Sequence, residues 1–226
     1  MFMSDSLAQY IQQTLVRPDA TRTEIEQFCH ECLQYQFQGA MVSPLWLKLV
    51  NERLAGTPVM ICTALGYPMG GMSALAKAFE VRDVIARGAR QIDFMPPVGY
   101  LKSGMYDEYR RDIETVVQAA DGVPIKVMLE FGMLTDVEKR TAAELAIEAG
   151  ATYLKNSSGW GQGGRATVPD IELLHEVARG PAKAKASGGI RTHEQALALL
   201  NAGAELLGTS GGVGIVGSSG TARDQY

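Results

Sequence analysis

The chain is sparing with the residues that most often carry metal or nucleophile chemistry. Among 226 residues there are three cysteines, three histidines and two tryptophans. Three cysteines are an odd number, which gives no basis for a secreted disulfide framework. Cys29-His30-Glu31-Cys32 has the CxxC spacing, but it lies inside a helical pattern with no second ligand pair nearby. A zinc site needs about four ligands converging from more than one segment, so the two thiols read as core. His30, His175 and His193 all fall in expected helices, which leaves a histidine-centred triad without support. Excess positive charge is also missing. The net charge is −4 and the pI about 5.5, against a general nucleic-acid or anionic-membrane surface. No apolar run is long enough to span a bilayer, and Met1-Phe2-Met3-Ser4-Asp5-Ser6 is not a basic-then-apolar leader, so a cytoplasmic protein is expected.

What the chain does have is apolar residues, 46% of the total, and 25 glycines, enough for one large core with many tight turns. Strand-like and helix-like segments alternate throughout, the pattern of a parallel α/β fold. Strands are expected at 10–16, 39–42, 59–65, 91–95, 125–131, 151–155, 182–186 and 205–208. Thr21-Arg22-Thr23-Glu24, Thr135-Asp136-Val137-Glu138 and Thr192-His193-Glu194-Gln195 read as capping boxes that open helices. Segment 96–105, with Pro96, Pro97, Gly99 and Gly104, reads as a loop. Gly88-Ala89, Gly150-Ala151 and Gly203-Ala204 each close a helix just before a strand, a weak internal repeat. Eight such units predict a single-domain (β/α)8 TIM barrel over 1–226, with a small, polar tail at 217–226 expected to be mobile. The competing doubly wound sheet lacks a GxGxxG fingerprint after its first strand.

Chemistry in such barrels sits at the C-terminal ends of the strands. That filter selects Asp93, Lys126, Glu130, Lys155, Lys183 and Lys185. Buried without partners they would cost several kcal/mol each, so pairing or function is required. A free lysine titrates at about 10.4, and lowering that to about 7.5 destabilises the ammonium by roughly 4 kcal/mol. Desolvation and a like-charged neighbour can supply it. Lys155 and Lys185, on consecutive strands about 5 Å apart, fit an amine nucleophile and its perturbing neighbour, and Asp93 can relay protons between them. Alternatively Lys155 is a strand-terminal lysine reaching solvent, and the others, Lys126 and Lys183 above all, belong to a structural ion network. Ser187-Gly188-Gly189 and Gly208-Thr209-Ser210-Gly211-Gly212 end the last two strands, where such barrels commonly bind phosphate on backbone N–H groups.

These segments resemble the deoxyribose-phosphate aldolase family along most of the chain. Tyr153-Leu154-Lys155-Asn156-Ser157-Ser158-Gly159 is similar to the Schiff-base motif F-V-K-T-S-T-G. Lys183-Ala184-Lys185-Ala186-Ser187-Gly188-Gly189-Ile190-Arg191-Thr192 is similar to K-x-K-A-S-G-G-[VI]-R-T, and Gly208-Thr209-Ser210-Gly211-Gly212-Val213 to G-T-S-S-G-V. The resemblance implies reversible cleavage of 2-deoxy-D-ribose 5-phosphate to D-glyceraldehyde 3-phosphate and acetaldehyde. It implies an imine on Lys155, a pKa-perturbing Lys185 and proton transfer involving Asp93. Asn156, Ser158, Gly159, Gly188, Gly189, Gly208, Ser210 and Gly211 would hold the phosphosugar, and Tyr226 resembles a terminal tyrosine that aids proton transfer in some members. No metal or cofactor is implied, no nucleic-acid or membrane partner is expected, and a homodimer is suggested.

The sequence departs from the pattern at several places. Gln12 and Gln13 stand in a common I-D-H-T run, so an acid near the site is missing. Met41 stands at a usual cysteine position, and Pro96-Pro97 in place of isoleucine–asparagine. Asn156 replaces a threonine, Phe131 a small polar residue, and Gly211 the second serine of the phosphate loop. These changes leave open an imine-forming aldolase for another phosphorylated sugar, and, in a different class, a barrel that binds a sugar phosphate without catalysis.

Overall fold

The computed structural model describes residues 7–178, 180 and 182–217. Eight strands, β1 (Ile11–Leu15), β2 (Gly39–Val42), β3 (Met60–Leu65), β4 (Gln91–Phe94), β5 (Ile125–Met128), β6 (Tyr153–Lys155), β7 (Lys183–Ser187) and β8 (Ala204–Thr209), close into a parallel barrel. Each strand pairs with the next in sequence, and β8 returns to β1 through Gln12↔Gly208 and Gln13↔Thr209. This is the (β/α)8 barrel. Most strand positions are buried, because one face of each strand lines the barrel interior and the other packs under helices.

The helices that cover it are α1 (Arg22–Gln34), α2 (Leu47–Leu54), α3 (Ala74–Ala86), α4 (Val98–Lys102), α5 (Tyr106–Ala119), α6 (Asp136–Glu148), α7 (Val168–Val177), α8 (His193–Asn201) and α9 (Gly212–Val216). All three expected capping boxes form, at Thr21–Glu24, Thr135–Glu138 and Thr192–Gln195. Cys29 and Cys32 are free thiols buried between α1 and the sheet, as core.

Two local expectations need correction. Segment 96–105 is not all loop: Val98–Lys102 makes a helical turn and a half with Pro97 as its cap, a position where proline's missing N–H costs nothing. The fifth strand stops at Met128 rather than 131. Glu130 adopts a left-handed conformation (φ 60°) and turns the chain into a short 3-10 segment at Phe131–Met133. The expected tail lies, apart from Gly217, outside the described residues, as does Tyr226. No helix among the described residues is long and apolar enough to cross a membrane.

Candidate active site

Register sets the site. Lys155 ends β6 and is the direct partner of Lys185 on β7, while Asp93 on β4 partners Lys126 on β5. All four side chains point into the barrel and meet. Asp93 Oδ2 accepts hydrogen bonds from Lys155 Nζ at 2.7 Å and Lys185 Nζ at 2.8 Å. Lys126 Nζ lies 3.4 Å from Asp93 Oδ1, without hydrogen-bond geometry. Lys185 also donates to Gln12 Oε1 at 2.6 Å, and Gln12 Nε2 donates in turn to Gln38 and Gln91, both at 2.8 Å. Asp93, Lys126 and Lys185 are fully buried. Lys155 keeps 6% of its surface, so it is the amine of the three that reaches the mouth.

Electrostatics follow from this packing. Burial acts to raise the Asp93 carboxyl, but three ammonium neighbours, Lys155, Lys185 and Lys126, outweigh it and hold the group well below the usual carboxylate range. Burial pushes the Lys185 ammonium down. Asp93 opposes the shift, Lys155 and Lys126 reinforce it, and the result is about 7. With one carboxylate among three amines, the cluster sheds a proton near neutrality.

A second buried acid shapes the loop after Lys155. Glu130 accepts from Ser158 N and Ser158 Oγ, both at 2.8 Å. Burial raises its pKa, which the Ser158 hydrogen bonds and Lys155 partly offset. Asn156 clamps the adjoining strand, donating to Ser187 O at 3.1 Å and accepting from Ser187 N at 2.8 Å. Gly163 is required beside Glu130, since a Cβ there would stand 1.7 Å from Oε1.

The glycine loops gather at the mouth over β6–β8. Gly159, Gly188 and Gly189 have φ of 79°, 100° and 68°, which side chains other than glycine rarely adopt. Gly208 instead makes room, because a Cβ there would meet Ser187 Oγ at 3.0 Å and Lys185 Cε at 3.2 Å. Some expected donors are already engaged: Gly159 N donates to Ser157 Oγ and Gly211 N to Thr209 Oγ1, both at 2.9 Å. Ser210 gives its carbonyl to Gln13 Nε2 at 3.1 Å. Opposite, over β1–β3, a cavity of about 520 Å³ is walled by Val16, Ala64, Tyr67, Met72 and Trp160. Its lining residue Ala64 is the register partner of Asp93, which is itself fully buried and does not line the cavity.

Of the six strand-end residues singled out from the sequence, the barrel gathers Asp93, Lys126, Lys155 and Lys185 and seats Glu130 in the next loop. Lys183 does not belong. It starts β7 rather than ending it, its side chain is half exposed, and it pairs with Glu205 at 2.8 Å. The structural-network alternative holds for Lys183, while Lys126 sits inside the cluster. Among the departures, Gln12 touches Lys185 and Met41 packs inside the barrel against Cys62 and Ala64. Phe131 turns into the outer core, with Lys139 over its ring. Sequence reasoning missed Arg165, whose side chain lies against Gly189, and Trp160. Their position, Trp160 within the Gly159–Gly164 loop and Arg165 straight after it, was the available signal. Among the described residues no three His, Cys, Asp or Glu side chains gather as a metal set.

Comparison with known proteins agrees with this geometry. The deoxyribose-phosphate aldolase of Brevibacillus brevis is 43% identical over 98% of this chain and all of its own. Deoxyribose-phosphate aldolase 1 of Bacillus licheniformis is 44% identical over 95% of this chain and 96% of its own. No family model matches. Site and relatives define the class: this is an aldolase, a lyase. Among solved structures, the tetrameric deoxyribose phosphate aldolase of Aeropyrum pernix superposes with a TM-score of 0.87 at 27% identity, covering 95% of this chain and 91% of its own. The chain belongs to the deoxyribose-phosphate aldolase family.

Proposed function

We propose that the chain reversibly cleaves 2-deoxy-D-ribose 5-phosphate to D-glyceraldehyde 3-phosphate and acetaldehyde through an imine on Lys155. The observation that carries this reading is the shared carboxylate oxygen, Asp93 Oδ2, hydrogen-bonded to both Lys155 and Lys185. A proton deficit arising at Lys185 near pH 7 can pass through that oxygen to Lys155, the amine a substrate can reach.

The neutral amine adds to the open-chain aldehyde and water leaves, giving the protonated imine. Removal of the C3 hydroxyl proton then breaks the C2–C3 bond. The electron pair moves into the imine as an enamine, and glyceraldehyde 3-phosphate departs. Asp93 Oδ1 has no hydrogen-bond partner among the described residues, which suits it to take that proton through a water. Protonation at C2 and hydrolysis release acetaldehyde. The imine itself is the electron sink, so the reaction calls for no metal or redox cofactor.

The phosphate is assigned to the mouth over Gly188, Gly189, Gly208, Ser210 and Gly211, with Arg165 as the nearby cation. Asn156, Ser158 and Gly159 act there as braces of the loop as much as contacts. A homodimer and a cytoplasmic setting complete the reading, the latter supported by three free buried thiols. A second reading keeps the imine and changes the sugar, and the apolar cavity over β1–β3 favours it.

Borohydride reduction in the presence of deoxyribose 5-phosphate tests the proposal. It should leave a covalent adduct on the peptide bearing Lys155, and Lys155→Ala should show neither adduct nor cleavage. No adduct on that peptide overturns it. Turnover of deoxyribose 5-phosphate against other phosphorylated sugars separates the two substrate readings.

A further inference from the structure

Gln12 and Gln13 are neighbours on β1, and a strand turns successive side chains to opposite faces. Gln12 enters the barrel and meets Lys185. Gln13 faces the helical layer, where Ile11 and Phe37 close on Gly212 at the start of α9. An amide buried among apolar side chains is costly unless it is hydrogen-bonded. Gln13 is buried, and both ends of its amide are engaged. Nε2 donates to Ser210 O at 3.1 Å, and Oε1 accepts from Gly212 N at 2.9 Å. One side chain therefore holds both peptide groups that flank Gly211, as the backbone of a paired strand would.

The surroundings are built for this clasp. A Cβ at position 212 would stand 2.5 Å from Gln13 Oε1, so glycine there makes the room. Thr209, the register partner of Gln13, ties the same loop from its other side. Its Oγ1 accepts from Gly211 N at 2.9 Å and donates to Ile190 O at 2.7 Å. Ile190 follows directly on Gly188 and Gly189. The β8–α9 loop is thus fixed to β1 behind it and to the β7–α8 loop beside it. Two departures from the family pattern, Gln13 and Gly211, meet at this point. A Ser-Gly-Gly loop loses much conformational freedom when it is ordered. A loop already ordered when its ligand arrives keeps more of the binding energy.

We propose that Gln13 is a positioning residue for the phosphate of the substrate. It holds Ser210–Gly212 from behind in the shape that receives the anion, and does not itself touch the sugar. Gln12 and Gln13 then divide the work of one strand: the first faces the amines, the second the anion loop. The role presupposes that the phosphate sits over these loops.

The ratio of kcat/KM for deoxyribose 5-phosphate to kcat/KM for unphosphorylated deoxyribose separates this role from a merely structural one. The parent should prefer the phosphorylated sugar by about a hundredfold or more, since remote contacts contribute to the transition state. Gln13→Met keeps the side-chain length and removes both hydrogen bonds. It should lower the ratio by about tenfold or more, the loss of two hydrogen bonds to the loop. Its kcat/KM for deoxyribose should stay within about twofold of the parent's, because only transition-state contacts to the phosphate change. Should Gln13→Met fail to fold, Gln13→Glu takes its place. It retains the acceptor for Gly212 N, loses the donor to Ser210 O and sets a negative charge behind the loop, so the ratio should fall at least as far. A folded variant with the parent's ratio, or one in which both sugars lose kcat/KM equally, overturns the proposal and leaves the phosphate assignment standing. A parent with no preference for the phosphorylated sugar overturns both.

Discussion

Lys155 and Lys185, register partners on adjacent strands, each donate to the same oxygen, Asp93 Oδ2, at 2.7 and 2.8 Å. That carboxylate is the counter-charge for three buried amines. Asp93→Asn leaves those amines unpaired, and removing one partner of a buried ion pair costs about 3–5 kcal/mol. Urea denaturation at pH 6 should show a loss of that order, and cleavage of deoxyribose 5-phosphate should fall by at least a hundredfold.

Lys185 supplies a pH signature. Its ammonium titrates at about 7 in the fold against 10.5 for a free lysine. Between those values the unfolded chain holds the proton and the folded chain does not, so this group's contribution to stability rises with pH. Below about 7 its full burial cost is present. Relative to Lys185→Met, the parent should gain about 2.5 kcal/mol between pH 6.5 and 9 in denaturant melts, at 1.36 kcal/mol per unit. Equal pH dependence in the two proteins contradicts the assignment.

Loss of the Lys185 amine also acts on catalysis. With Lys185 gone, two amines share Asp93 with one like charge fewer, so the cluster parts with its first proton only at higher pH. The acidic limb of the kcat/KM profile for Lys185→Leu should move to higher pH. An unmoved limb removes Lys185 from its proposed role.

Arg165 lies on Gly189 at the rim of the glycine loops. Arg165→Ala should raise KM for deoxyribose 5-phosphate about tenfold or more, the loss of one charge-assisted contact, with kcat nearly unchanged. Turnover of unphosphorylated deoxyribose should not respond. Equal effects on both sugars would show that Arg165 holds the loop rather than the phosphate.

Gly163 tests the brace. A methyl group there would overlap the buried Glu130 carboxylate, which ties down Ser158 three residues beyond Lys155. Gly163→Ala should lower kcat by an order of magnitude or more while far-ultraviolet circular dichroism stays that of the barrel. Glu130→Ala/Gly163→Ala, in which the overlap is gone, separates crowding from loss of the brace.

Much of this was legible in the chain because it depends on local pattern. Capping boxes, glycine stops and strand-end lysines are read within a few residues, and the partnering of Lys155 with Lys185 follows from consecutive parallel strands. Other features depend on distant neighbours. Lys126 has the same strand setting as many structural lysines, and the β4–β5 register, which places it beside Asp93, cannot be read from its own segment. The left-handed turn at Glu130 interrupts what reads as continuous strand, because Ser158, 28 residues on, supplies its partner. Lys183 was misplaced because the KxK spacing puts two lysines on one face without saying which end of the strand each occupies. The turn at Val98–Lys102 hid behind proline and glycine, which read locally as loop.

Gln12 joins Lys185 to Gln38 and Gln91 through neutral amides. It therefore offers polarity without a second negative charge, and the barrel interior can approach electroneutrality only by giving up hydrogen ions to solvent. The resting enzyme is thus armed by a shortage of anions beside Lys185, and an acid at position 12, which would replace the amide that Lys185, Gln38 and Gln91 now contact, should raise the pH at which Lys185 sheds its proton.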